Sequence, residues 1–373
     1  GLMQFIIKRD ILLKSLNFVQ GVVEKKNTLP ILSNVLLSAK NGKLEVVATD
    51  LDIIFFDEIN DVKIIAEGDT TTSANVLYDI LRKIPANSNV DFKLKSENKL
   101  SIKSDNSDFN LLCLPSNTYP TFEDNFGTEK IEVKRNKFLS LLNKTKISIS
   151  NDDTRHYLNG VFLHITQSKD KTLLTGVATD SHRLSSSSLE ISNLKNFSSI
   201  IIPRKAVFQI CAMMAEIDAP LFIQTSDSKI KFNLGKVELI SKVIDGKFPD
   251  YQKVVPKDNN KTLVVHSKDF INSVEKVTSV SLDRKEGVKL EITKGKVKLS
   301  VNSTNSGDGN DILNAVYKDD DLTIGFNSKY LLDIASEVED QNLVLNLKDS
   351  TSPVLIQDKS DINSYYVIMP MKI

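Results

Sequence analysis

The strongest constraint on this chain is that it repeats itself. An alternating apolar strand running into a helical pattern occurs three times: QFIIKRDILLKSLNFVQ from Gln4, EKIEVKRNKFLSLLNKTK from Glu129 and TLVVHSKDFINSVEKVTS from Thr262. The starts lie about 125 to 133 residues apart, a domain-sized period rather than the 20–50 residues of a solenoid. A second set of segments keeps the same step. TSANVLYDILRKIP ends at Pro85, IIPRKAVFQICAMMAEI includes Pro203, and IGFNSKYLLDIASEVE includes Phe326. Each passes from a strand end through a cap-like Ser or Pro into an amphipathic helix. Further echoes are ATD at 48–50 and 178–180, and LPSNTYPTFED beside VIDGKFPDYQK. Polar, Pro-containing connectors (EDNFGTE and VVPKDNN) divide the chain into domains at 1–128, 129–256 and 257–373.

Between the helical windows, short runs of Val, Ile, Leu and Phe alternate with polar residues, as in KLEVVATDLDIIFFDEI and VKLEITKGKVKLSVNS. Asn41-Gly42, Glu97-Asn98 and Lys294-Gly295 supply hairpin turns. Each repeat therefore reads as two helices plus about eight strands, an α+β unit with helices on one side of antiparallel sheet.

Composition narrows the class. The 373 residues, with 40% apolar content, 14 Gly and 10 Pro, suit a folded chain of two or three domains, not a disulfide-stapled module or a low-complexity segment. No apolar run approaches the roughly 20 residues of a membrane helix. Cys113 and Cys211 are far apart in apolar contexts (LLCLP and QICAMM), the pattern of reduced, buried thiols and a cytoplasmic compartment. Gly1-Leu2 ahead of Met3 resembles the remnant of a removed tag and lies outside the fold argument.

The 48 Lys+Arg balance 48 Asp+Glu, so a nucleic-acid reading rests on where the charges sit. The helical windows 8–20, 74–84, 134–147, 203–216, 267–280 and 328–340 carry +2, +1, +5, +1, 0 and −3, a net +6, which leaves −6 for the rest. Two copies closed with helices inward would line a channel with about +12, suited to non-specific phosphate contacts. Solvated helix faces explain the same numbers. Reactive motifs offer no competing reading. Phosphate loops, HExxH, CxxC and GxSxG are absent, and His156, His164, His182 and His266 lack metal-ligand spacing. Asp180-Ser181-His182 holds triad residue types, but as sequence neighbours, whereas a working triad joins separated elements. SGDGND at 306–311 lacks a calcium loop's ligand ladder and reads as a solvated turn. The closing Tyr365-Tyr366-Val367-Ile368-Met369-Pro370-Met371-Lys372-Ile373 is apolar for a terminus, which reads either as a core strand or as the wall of an adaptable, Met-lined peptide groove.

TLPIL (28–32), RHYLNG (155–160), ATDSHRL (178–184), IIPRKAV (201–207), VIDGKFPDYQKVVP (243–256), IGFNSKYLLD (324–333) and YVIMPMKI together resemble the bacterial sliding clamps, the beta subunits of DNA polymerase III. The likeness runs in order from Met3 to Ile373. It implies a head-to-tail homodimer closing a ring of six similar domains around duplex DNA without sequence specificity. Such a protein is a processivity factor with no catalysis and no cofactor. The resemblance implies DNA-facing positions at Lys14, Lys26, Arg82, Arg155, Tyr157, Arg204 and Lys205. It implies a partner-peptide pocket of Leu158, Thr179, His182, Arg183, Leu184, Pro249, Lys253, Val254, Val367, Met369, Pro370 and Met371. Ser181 stands there in place of a Gly common in relatives, and Lys253 and Lys372 in place of Arg. At the ring joint it implies Phe109 and Leu111 opposed by Val280 and Leu282. The implied partners are the polymerase III catalytic subunit, a clamp loader, and other polymerases and repair proteins bearing clamp-binding peptides, with no membrane. A peptide-binding scaffold that does not encircle DNA is the alternative reading.

Overall fold

The computed structural model describes residues 2–25, 28–123, 125–127, 129–192, 197–282 and 287–373. Among the described residues are six α-helices: α1 (Arg9–Val19), α2 (Ala74–Lys83), α3 (Arg135–Lys146), α4 (Arg204–Glu216), α5 (Ser267–Thr278) and α6 (Ser328–Glu337). Each falls inside one of the six windows read from sequence, two to each period. Their faces follow the 3.6-residue rule: α2 buries Ala74, Leu77 and Leu81, and α5 buries Phe270, Val274 and Val277. Two starts are capped by side chains. Ser73 accepts from the Val76 amide at 3.3 Å, and Asn327 from the Tyr330 amide at 3.2 Å. Hairpins also follow local chemistry, since Asn41 and Gly42 at φ 54° and 75° make the doubly left-handed turn that an Asn-Gly pair favours.

All strand pairings are antiparallel, but the packing does not follow the sequence period. The chain forms two compact units, residues 1–136 with 205–243, and residues 137–204 with 244–373. The first holds a thirteen-stranded sheet. There Val237–Lys242, from the second repeat, pairs with Ile53–Ile59 of the first in the register Ile240 to Ile54. The second unit holds an eight-stranded and a four-stranded sheet. In the larger, Asp361–Ile368, from the third repeat, pairs with Arg183–Glu190 of the second in the register Val367 to Leu184. The second repeat is thus shared between the units, and each join turns two strand edges into ladder.

The two joins are built alike because the ATD echo folds alike. Thr49 Oγ1 donates to the Ile53 carbonyl at 2.7 Å, and Thr179 Oγ1 to the Arg183 carbonyl at 2.7 Å. Asp50 accepts from the amides of Asp52 and Ile53, as Asp180 does from those of His182 and Arg183. Leu51 and Ser181 both take left-handed backbone, at φ 82° and 76°. Each turn launches the strand that accepts the next repeat's last strand.

One sequence expectation is corrected. Residues from Gly307 onward in the SGDGND segment are not a solvated turn but the start of the strand Gly307–Asn314, at the edge of the four-stranded sheet. Its side chains alternate between exposed and half-buried, so no apolar period marks it, and its Gly content mimics a loop. Gly309 packs closely: a Cβ there would lie 3.3 Å from a Val280 methyl, which would have to shift slightly to admit it.

The second unit also contains a buried charge. Lys144 on α3 is 3% exposed; its ammonium donates to Asp361 at 2.6 Å and lies 3.5 Å from Glu339. Burial pulls its pKa down, but the Asp361 bond and neighbouring carboxylates outweigh that and hold it above the ordinary lysine value. The pair therefore stabilises the fold throughout the range below the ordinary lysine pKa, and that contribution is lost as pH rises through the elevated folded value. Lys144→Ala leaves Asp361 without its cation and should cost about 3 kcal/mol, read as a shift in the urea midpoint at neutral pH.

Candidate functional site

Within the second unit, the ATD turn, the strand it launches and the strand Asp361–Ile368 surround a cleft of about 230 Å³. Its floor is Leu158, Leu184 and Val367, all nearly fully buried, with Thr179, Pro249, Tyr251, Val254 and Met369 as walls. Val254 and Met369 are 54% and 40% exposed, large apolar groups left facing solvent. An apolar floor with a few fixed polar groups is the makeup of a site for a short peptide.

Behind the floor stands a stack of rings. Phe162 lies between His164 and Phe248, with centroids 4.3 and 4.9 Å away, and Tyr251 donates or accepts a bond at 2.9 Å with His164 Nε2. Burial drives the His164 pKa down to about 4 and raises that of Tyr251 to about 12. His164 is therefore neutral at physiological pH, and its role here is to hold Tyr251 against the cleft.

The rim is polar but already paired. Arg183 donates to Asp333 at 2.6 Å and to Asp180 at 3.3 Å, and its guanidinium lies 4.2 Å from the centre of the Tyr330 ring. Arg155 donates to Ser181 Oγ at 2.6 Å and to Asp152 at 3.0 Å. Asp250 and Tyr251 line the cleft although the resemblance does not name them, and both stand in the FPDYQK echo; Ser181, noted in the sequence as replacing a Gly there, lines it too. His182, Lys253, Pro370 and Met371 lie outside the lining. His182 stacks on Tyr330, Lys253 lies 3.7 Å from Asp250, and the Met371 amide donates to the Gly325 carbonyl at 2.8 Å. Both readings of the terminus apply in part: Asp361–Ile368 is a core strand, and Met369 beyond it lines the groove.

The residues singled out for DNA differ in availability. Lys14 and Arg204 are exposed. Arg82 is about half exposed, pairs with Asp79 at 2.6 Å and lies 4.9 Å from the Tyr78 ring centre. Lys205 is spent locally, donating to the Val22 carbonyl, Glu24 and Asp50 at 2.7 to 2.8 Å. Tyr157 is half-buried against the apolar cluster of the cleft. Lys26 lies outside the described residues. For the joint, Phe109 and Leu111 are half-buried on Ser107–Leu114, which meets its neighbour on one side only through Cys113 and Leu114. Val280 packs against the third-repeat core, and Leu282 is 85% exposed.

Among the described residues, no group of three or more His, Cys, Asp or Glu is placed to hold a metal ion, and no helix is long and apolar enough to cross a membrane. Cys113 and Cys211 are buried, and neither is in a disulfide.

Three copies of one α+β pattern, joined through shared sheets beside a peptide-sized cleft, define a scaffold of the sliding-clamp class. Models of the N-terminal, central and C-terminal domains of the DNA polymerase III beta subunit match residues 3–123, 132–250 and 252–372. The chain is 35% identical to the beta sliding clamp of Caulobacter vibrioides (strain NA1000 / CB15N) and 31% identical to that of Escherichia coli (strain K12), each over the full length of both chains. A Bartonella birtlesii sliding clamp solved bound to griselimycin superposes with a TM-score of 0.95 at 40% identity, again covering all of both chains. The chain belongs to the DNA polymerase III beta subunit family, the beta sliding clamps. It is a homodimeric, non-catalytic clamp that encircles DNA and tethers the polymerase.

His164 gives this site a pH signature. Its folded pKa near 4 lies below the ordinary 6.5, so its contribution to stability is complete above pH 6.5 and is lost as pH falls toward 4. His164→Gln should flatten the loss of urea stability between those two pH values, while wild type declines across them.

Proposed function

We propose that the cleft floored by Leu158, Leu184 and Val367 is where polymerase and other partners dock, each by a short peptide with aliphatic and aromatic anchors. The observation that carries this is an apolar floor left open between exposed Val254 and Met369, beside polar groups already satisfied within the chain. The partners are the polymerase III catalytic subunit, the clamp loader, and other polymerases and repair proteins that carry such peptides. This chain carries no nucleotide motif of its own, so an ATP-driven loader opens the ring. The work is done on DNA in the cytoplasm.

Phosphate contact falls to the positions the resemblance implies, Lys14, Lys26, Arg82, Arg155, Tyr157, Arg204 and Lys205, of which Lys205 and Arg155 also hold loops in place. Contacts of this kind are weak, and persistence on DNA comes from topology, so the clamp slides without reading bases. The joint forms between the open edge of Ser107–Leu114, with Phe109 and Leu111, and the edge strand Gly307–Asn314 beside Val280 and Leu282 of a second copy.

Val254→Glu should weaken polymerase-peptide binding more than tenfold in a fluorescence-anisotropy titration and leave the dimer mass unchanged. Removing Met369 to Ile373 should abolish that binding with the dimer intact. Retention on nicked circular DNA, lost on linearisation, distinguishes this reading from a scaffold that does not encircle DNA. Phe109→Asp should shift sedimentation toward monomer, whereas raising salt in the wild type should not, because the joint relies on strand pairing and apolar contact. Dissociation that rises steeply with salt would count against that joint.

A further inference from the structure

A second cleft, of about 380 Å³, opens on the same face of the eight-stranded sheet, lined by Val255, Leu355, Ile362 and Tyr365 with Gln357 and Lys359 at its rim. It is continuous with the peptide cleft in three ways. Val255 follows Val254 in the chain. Leu355 is the direct cross-strand partner of Val367, and Tyr365 lies on the same face of that strand two residues away, a step of roughly 7 Å. Val255, Leu355 and Tyr365 all pack against the cluster that contains Leu158, Leu184 and Val367.

Nothing within the unit covers the far wall. Ile362 sits 89% exposed just past the hairpin turn at 359–360, where side chains are normally polar. The acidic groups nearby are engaged. Asp358 is buried and accepts from the Glu339 amide at 2.8 Å and from the Ser360 amide and hydroxyl, and Asp361 accepts from Lys144. Asp358 also lines the cleft but is buried and hydrogen-bonded, so Lys359, exposed at the rim, is the charged group an incoming ligand meets first.

We infer that this second cleft receives the stretch of a partner peptide that flanks the residues held in the first cleft. The stretch would carry an aliphatic or aromatic anchor two to four residues beyond the last pocket anchor and an acidic residue beside it to meet Lys359. Two to four extended residues span roughly 7 to 13 Å, enough to pass from Val367 to Tyr365 and on toward Ile362, which lies five residues, roughly 17 Å, along the same strand. The inference rests on the first cleft being the peptide site. It makes affinity depend on residues outside the minimal docking peptide, because joining two anchors on one strand makes the second contact intramolecular.

The test uses the full-length dimer and two fluorescein-labelled peptides from the cognate replicative polymerase. One is the minimal segment that fills the first cleft, and the other is the same segment with six native residues restored on each side. Ile362→Glu and Lys359→Glu alter exposed side chains, and dimer mass and melting temperature check that each variant is folded. The longer peptide should bind wild type at least tenfold more tightly than the shorter one. Ile362→Glu should remove that gain, and Lys359→Glu should reduce it, while the short peptide's Kd stays within twofold in both. A gain that is absent in wild type, or that survives Ile362→Glu, overturns the inference while leaving the first cleft standing. Failure of both peptides to bind wild type, or binding unaffected by Val254→Glu, overturns the reading of the first cleft and this one with it.

Discussion

Everything functional in this chain hangs on one kind of contact, the antiparallel pairing of a strand in one repeat with the last strand of the next. Val237–Lys242 joins Ile53–Ile59, and Asp361–Ile368 joins Arg183–Glu190. The second of these ladders lays Val367 beside Leu184 and so creates the floor of the cleft. The cleft is a by-product of closing a sheet between repeats, which explains why its residues come from four separate stretches of chain. Backbone ladders are insensitive to side-chain identity, so the walls can vary while the floor stays in place.

The ATD turn is the device that makes the pairing possible twice. Its Thr and Asp side chains satisfy the backbone of the corner and aim the outgoing strand, and one residue in each turn must take left-handed backbone. A left-handed conformation costs a non-glycine residue roughly 1–2 kcal/mol. Ser181 offsets part of that by accepting a bond from Arg155, a partner that a glycine could not offer. The Ser181 hydroxyl thus ties the rim of the cleft to the 152–158 loop, alongside the packing of Tyr157 and Leu158.

Helices are legible in the sequence because their signals are local: cap residues and a 3.6-residue apolar face place both ends of each of the six helices within three residues. Strand existence was legible for the same reason. Strand partnership was not, since a period of two says which face is buried and nothing about which chain segment lies alongside, so the sharing of the second repeat between two units could not be read. The same limit hid Gly307–Asn314, an edge strand with no buried face to enforce alternation. At the cleft, the resemblance carried over Leu158, Leu184 and Val367 and noted Ser181, whereas Asp250 and Tyr251 emerged only with geometry. In the sequence His164 shows only a lack of metal spacing; its part in bracing Tyr251 depends on a ring stack assembled from two separated stretches, 162–164 and 248–251.

The two edges proposed for the joint, 107–111 and 307–314, differ from each other, and that asymmetry has a cost for the cell. An interface between unlike edges has no internal stop: a second copy bound through one edge still offers the other, and chains can add without limit unless the first and last meet. The stoichiometry of the closed assembly is thus not encoded in the edges. A change far from either edge that alters how the chain turns between them could convert a closed ring into a growing filament while every contact at the joint stayed the same.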